Sequence, residues 1–383
     1  MFGNMPELNI GHLRAKTSII QGGMGVGISL SGLASAVANE GGIGIIAAVG
    51  IGMNGGKISG DFSEANAEAL RQEIRTARSK TDGLIGVNVM IALTDANRLL
   101  EVSVEEEVDV AIMGAGLPLK LPDTIVEKGL KNIHTRLIPI VSSGRAAELI
   151  FNHWAKKYSH IPDAVIVEGP LAGGHLGFKA AELTQASNNT LENLVSDVIS
   201  AVKPFEQQFK QPIPVIAAGG IYTGGDIHKF LQLGASGVQM ATRFVTTHEC
   251  DADIRFKEMY LDCRESDLRI IDSPVGLPGR AINNPFLESV SAGEKKPFKC
   301  PWKCLRTCNF EKVPYCIAKA LIFAQKGKFH YGFAFAGSNA WRADKIISVQ
   351  ELMDTIKKEY QCESRTMRLD NAQTQPNFVY DYI

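Results

Sequence analysis

Eight short, β-branched apolar runs recur along the first 240 residues, at 18–21, 42–47, 84–89, 108–113, 136–141, 164–167, 215–217 and 237–240. Each run closes on a glycine or polar turn and leads into a helical stretch. The runs are continuously apolar and do not alternate with polar residues, the pattern of parallel strands buried on both faces. Parallel neighbours require crossover connections, and amphipathic stretches at 64–79, 144–158 and 191–209 supply them, with Ser63 expected to cap the first. Strand then helix, repeated eight times, predicts a (β/α)8 TIM barrel. The rival is an open doubly wound sheet with a glycine fingerprint after its first strand. Residues 22–27, GGMGVG, spell G-x-G, but no acidic residue closes a following strand at the required distance.

The barrel is assigned to residues 1–248. Residues 249–329 carry charges, prolines and a cysteine cluster, and are expected to form a cap-like insertion after strand eight. Apolar chemistry resumes at GFAFAG (332–337), so 330–383 is read as the final barrel segment, with a last helix over 348–360 and a polar tail. The tail is placed on the surface or against a neighbouring subunit, which leaves a homodimer open.

With 40 Lys and Arg against 41 Asp and Glu, the chain is close to neutral, which excludes a broad basic surface for nucleic acid or an anionic membrane. Any phosphate site must therefore be local. The first 18 residues contain no apolar leader, and the longest low-polarity stretch, 41–53, is too short and too glycine-rich to span a bilayer. Seven cysteines, four of them crowded together, fit a reduced, cytoplasmic protein.

Barrels place their chemistry at the C-terminal ends of the strands, and glycines cluster there: 22–23, 86, 114–116, 169–177 and 219–220. Such bare backbone lets amide N–H groups approach a flat cofactor or a phosphate. The segments after strands seven and eight, Gly219-Gly220 and Ala241-Thr242-Arg243, lie where barrels commonly hold phosphate. His175 is the only histidine within a glycine-rich loop at a strand end, which makes it the candidate general acid or base for a small-molecule substrate. Taken singly, the glycines could be tight turns and His175 a hydrogen-bonded structural residue. The joint pattern points to a site. No nucleophile elbow, Walker A loop or HExxH zinc motif is present.

Five segments together, IIQGGMG (19–25), GVNVM (86–90), EGPLAGGHLG (168–177), PVIAAGGI (214–221) and GVQMATRF (237–244), resemble the nitronate monooxygenase family, formerly the 2-nitropropane dioxygenases. The flavin-dependent enoyl-acyl carrier protein reductases share them. The likeness continues at SPVG (273–276) and RAINN (280–284). It implies FMN held without a covalent bond at the barrel mouth. Gly22, Gly23 and Met24 would face the flavin ring, Asn88 and Glu168 would lie beside it, and Gly173 and Gly174 would bring backbone close. Gly219, Gly220, Ala241 and Thr242 would hold the phosphate with Gln239 nearby, and His175 matches the family's catalytic histidine. Some nitronate-oxidising members carry a lysine after the fifth strand; here Val141 leads into Ser142-Ser143, which resembles the reductase branch.

Cys300, Cys304, Cys308 and Cys316 form a second candidate site. If the chain after Pro301 is helical, three thiols line one side and could bind an iron–sulfur cluster or zinc, with Lys299, Lys303, Arg306 and Lys312 offsetting their charge. The spacing matches neither the usual zinc pairs nor common ferredoxin runs, and reduced cysteines packing the cap are the alternative. The favoured function is oxidation of alkyl nitronates with oxygen, with His175 deprotonating neutral nitroalkanes. The alternative is an NAD(P)H-dependent reductase of enoyl thioesters, and the third a non-catalytic module for a phosphorylated ligand or electron transfer.

Overall fold

The computed structural model describes residues 4–53, 61–183, 189–300 and 302–373. All eight expected strands form: β1 (Ile19–Gln21), β2 (Gly44–Ala47), β3 (Ile85–Met90), β4 (Val110–Gly114), β5 (Arg136–Val141), β6 (Val165–Glu168), β7 (Val215–Ala218) and β8 (Gly237–Met240). From β2 to β8 each pairs in parallel with its sequence neighbour, and β8 pairs with β1. A parallel bridge between Ile20 and Ile43 closes the ring, giving the TIM barrel.

Alternation along each strand sorts side chains into two dry layers. Ile20, Ile45, Ile112, Ile138, Ile166 and Ile216 point into the barrel, where Leu8, Ile10 and Leu13 join them. Those three come from a hairpin of strands Leu8–Ile10 and Leu13–Ala15 that turns at Gly11 and plugs the N-terminal end. The alternate residues, including Ile19, Ile46, Val87, Leu137, Val165 and Val238, face outward into the layer under the helices. Two residues beyond the inner layer the same alternation aims Asn88, Ile140, Glu168, Ala218 and Gln239 at the C-terminal mouth. The site is therefore the next storey of the core.

Helix capping differs from expectation at one position. The helix Phe62–Arg78 is capped by Asp61, whose carboxylate accepts from the N–H groups of Ser63 and Glu64, so Ser63 lies inside it. Asp61 wins because a carboxylate reaches two orphan amides and meets the positive end of the dipole. Ser143 and Thr190 cap Gly144–Tyr158 and Leu191–Phe209 with a hydroxyl that accepts from one amide each, Ala146 and Asn193.

Beyond β8 the chain builds the helix Ile254–Leu261, an antiparallel pair β9 (Leu268–Asp272) and β10 (Pro278–Ile282), and the helices Pro285–Ser291 and Ile317–Gln325. The helix that would have aligned the cysteines does not form: described residues 302–316 run through turns, and helix begins only at Ile317. Their backbone is bonded elsewhere. Thr94 N–H donates to the Cys304 carbonyl, Arg306 N–H to that of Ala92, and Leu305 bridges Leu93. These bonds spend groups that a helix would need. The last helix, Val349–Gln373, runs well past the expected end at 360 and packs on Gly224–Gln232 and Ser31–Asn39 as the eighth barrel helix. Arg243 fixes it with a two-pronged ion pair to Glu359. Among the described residues no helix is long and apolar enough to cross a membrane.

Candidate active site

A cavity of about 270 Å³ opens at the C-terminal mouth, and every expected ring and phosphate residue borders it: Gly22, Gly23, Met24, Asn88, Glu168, Gly173, Gly174, Gly219, Gly220, Gln239, Ala241 and Thr242, together with His175. Segments far apart in the chain meet here because each ends an adjacent strand.

The glycines are required by close packing at several points. A Cβ on Gly23 would sit 2.5 Å from the Asn88 Cβ, so the bare loop lies directly against β3. A Cβ on Gly173 would sit 2.5 Å from the backbone of Ala336 and Gly337. Gly219 and Gly220 hold φ of +96° and +85°, which side chains other than glycine adopt at a cost. At the same end Gly337 N–H donates to Thr242 Oγ1 and Asn339 donates to the Gly220 carbonyl.

His175 sits on a two-residue strand, Gly174–His175, that pairs with β10. Its Nε2 lies 2.7 Å from Ser273 Oγ, and its ring meets Phe335 edge-on at 4.9 Å between centroids. Burial lowers its pKa to about 4, so the imidazole is neutral at pH 7. Glu168 faces the same cavity without a hydrogen-bond partner among the described residues, and burial raises its carboxyl to about 7. Two titratable groups are thus pushed in opposite directions within one cavity, the arrangement that separates proton donor from proton acceptor. Gln239 Oε1 is buried without a partner, an acceptor left for a ligand N–H. Bare amides, an orphan acceptor and open space beside Gly174, where a Cβ would meet nothing within 4 Å, fit a planar phosphorylated cofactor.

The cap supplies Phe256, Tyr260, Val275, Leu305 and Leu321, and the segment after it supplies 334–339, none of them assigned a site role from sequence. Of these, Val275 lies in the SPVG motif and the last segment follows the small and aromatic run at 332–337; the others carried no local signal. Tyr260 donates its hydroxyl to the Phe335 carbonyl, tying the cap helix to that segment.

Cys300, Cys304, Cys308 and Cys316 all border a second cavity of about 290 Å³, and Cys304 borders both cavities. Burial pushes the Cys304 thiol up to about 12, with the other three sulfurs adding to the rise. Among the described residues no three His, Cys, Asp or Glu side chains gather closely enough to hold one metal ion.

A barrel whose glycine-lined mouth presents a histidine and a carboxyl to one cavity is the architecture of a flavin-barrel oxidoreductase. The chain belongs to the nitronate monooxygenase family, which it matches over residues 7–101 and 92–359. It is 28% identical over 311 residues to a probable nitronate monooxygenase of Staphylococcus aureus (strain JH9), covering 72% of this chain and 78% of that protein. It is 29% identical over 272 residues to the (3aS,4S,5R,7aS)-5-hydroxy-7a-methyl-1-oxo-octahydro-1H-indene-4-carboxyl-CoA dehydrogenase of Rhodococcus jostii (strain RHA1). That match covers 71% of this chain and 64% of the dehydrogenase, so the chain spans less than two thirds of that relative. FabK from Thermotoga maritima superposes with a TM-score of 0.70 at 29% identity, over 93% of this chain and 96% of FabK. Nitroalkane oxidase from Streptomyces ansochromogenes also gives 0.70, at 22% identity over 92% and 98%, which shows the shared fold.

Proposed function

We propose that this FMN-dependent oxidoreductase acts on an acyl thioester, reducing a conjugated enoyl group with electrons from NAD(P)H. One observation carries the reading. Besides its glycines the cavity is lined by Val49, Met53, Met90, Leu93, Leu305 and Leu321, apolar side chains suited to an acyl chain. A small nitronate leaves that wall unused. Ser142 at the fifth strand end and the likeness to a carboxyl-CoA dehydrogenase support the same reading.

Gly22, Gly23, Met24, Asn88, Gly173 and Gly174 would seat the flavin ring, Gln239 Oε1 would accept from it, and Gly219, Gly220, Ala241 and Thr242 would hold the phosphate. FMN, when bound, supplies two-electron exchange with carbon. The chain's own part is placement and proton control. His175, held by Ser273 and Phe335, presents a neutral imidazole placed to donate a hydrogen bond to the thioester carbonyl while the double bond takes up hydride and a proton. Glu168, protonated near neutrality, stores a proton in the same cavity. The cap residues Phe256 and Tyr260 exclude water.

Nitronate oxidation with oxygen is the second reading, favoured by the family match and by His175 as a base for neutral nitroalkanes. Anaerobic mixing separates the two. Under the thioester reading NADH or NADPH bleaches the bound flavin and a trans-2-enoyl thioester restores its colour. Bleaching by a nitronate alone, followed by oxygen-dependent nitrite release, would replace it with the second. Protein that takes up no FMN would support a non-catalytic module.

The four cysteines that border one cavity are proposed to hold an iron–sulfur cluster. Iron with equimolar acid-labile sulfide in anaerobically purified protein is the expected result, and its absence would leave reduced cysteines packing the cap. A homodimer and a cytoplasmic location belong to the same proposal, tested by light scattering and by fractionation.

A further inference from the structure

Arg280 is buried in β10, only 9% exposed, and faces away from solvent without a counter-ion. Its Nη1 donates to the carbonyls of Pro170 and Ala172, at 2.6 and 2.8 Å, and among the described residues it forms no ion pair. Burial draws its pKa down, and no charged neighbour opposes that shift. An isolated buried charge is costly, so a fold that keeps one has a use for it.

The two carbonyls belong to the tight turn that separates Arg280 from the cavity. A trans peptide points its C=O and N–H in opposite directions. Fixing the Ala172 carbonyl on Arg280 therefore turns the Gly173 N–H to the opposite side, and Gly173 lines the cavity next to Gly337. Gly219 packs on the same turn, where a Cβ would sit 3.1 Å from Ala172 N. The turn thus borders the end where Gly219, Gly220 and Thr242 converge. Yet no lysine or arginine is among the residues lining that cavity. A phosphate dianion there would meet amides and hydroxyls but no cation within the wall.

We infer that Arg280 is the counter-charge for the phosphate of FMN, a positioning residue that stays outside the cavity and acts through the Pro170–Ala172 turn. The inference rests on the FMN reading above. Charge and orientation arrive together: the guanidinium polarises two peptide groups and its field adds to theirs across one layer of backbone. The counter-ion missing from the protein is then supplied by the cofactor.

The test compares FMN with riboflavin, which lacks the phosphate, by flavin fluorescence quenching on apoprotein of wild type, Arg280→Gln and Arg280→Lys. Glutamine keeps a donor for the carbonyls and loses the charge. In Arg280→Gln, FMN affinity should fall about tenfold or more and riboflavin affinity by less than about twofold, while Arg280→Lys stays near wild type. Melting supplies a second readout: Arg280→Gln apoprotein should melt no lower than wild-type apoprotein, and FMN should raise its Tm less. Equal loss for both ligands, or unchanged FMN affinity, would overturn the inference while leaving the flavin reading intact. Wild-type protein that binds neither flavin would overturn the FMN reading, and this inference with it. If Arg280→Gln does not fold, wild-type apoprotein decides: inorganic phosphate should raise its Tm above chloride at equal ionic strength, and no rise would count against Arg280.

Discussion

His175 Nε2 lies 2.7 Å from Ser273 Oγ, so one hydrogen bond joins the glycine loop after β6 to a turn of the cap 98 residues later. The bond orients the imidazole, and the edge of Phe335 limits its rotation. Replacing His175 with Ala should lower turnover by roughly 10²–10⁴-fold, the usual span for a positioned acid or base. The flavin spectrum should be preserved, since the ring seat is built from other residues. Ser273→Ala should lower turnover less, because Phe335 still confines the ring. An unchanged rate in His175→Ala would remove the imidazole from the chemistry.

Burial holds His175 neutral down to about pH 4 in the folded protein, while in the unfolded chain it takes up a proton near 6.5. Between those values the unfolded state binds the extra proton, so His175 makes stability fall as pH drops. Glu168 works in the opposite direction. Its folded carboxyl stays protonated to about 7 against 4.5 when unfolded, so it makes stability fall as pH rises across that window. In melting series at pH 4 to 8, His175→Asn should therefore gain on wild type toward the acid side and Glu168→Gln toward the neutral side. Parallel pH curves for all three proteins would contradict both shifts.

Gly23→Ala places a Cβ 2.5 Å from that of Asn88, and two atoms so close cannot coexist without moving the loop or the strand. The loop is the softer of the two. FMN affinity should drop by at least about tenfold with little loss of Tm, since the displaced loop lies at the mouth and not in the core. Fluorescence titration and melting of the same preparation check both halves.

Ile10 is fully buried in the hairpin that plugs the barrel. Ile10→Ala should cost about 2–5 kcal/mol by urea unfolding, the usual penalty for emptying a close-packed core site. The flavin spectrum of the folded fraction should not change, because the plug and the mouth are at opposite ends.

The eight strands were legible because each must be apolar on both faces, and that requirement leaves a short continuous run, repeated eight times between helical stretches. The glycines and His175 were legible for a related reason: strand ends in such a barrel are where bare backbone and a lone imidazole have work to do. Ser273 stands in the SPVG motif, whereas Phe256 and Tyr260 were not legible. They reach the cavity from the cap, and nothing in a local stretch of chain reports which distant segment folds back over the mouth. The cysteines show the limit most clearly. Their spacing pointed to one side of a helix, but the backbone of 304–306 is bonded to residues 92–94, and that long-range pairing sets where the sulfurs lie. Arg280 lies between these cases: its neighbours in sequence mark a family motif, but only packing shows that its charge is buried and unmatched. Sequence by itself determined the repeat, the mouth and the histidine, because these follow from periodicity and from residue chemistry at strand ends. Tertiary structure decided what closes over the mouth and which charges face it, because burial and electrostatic pairing belong to contacts that sequence distance does not encode.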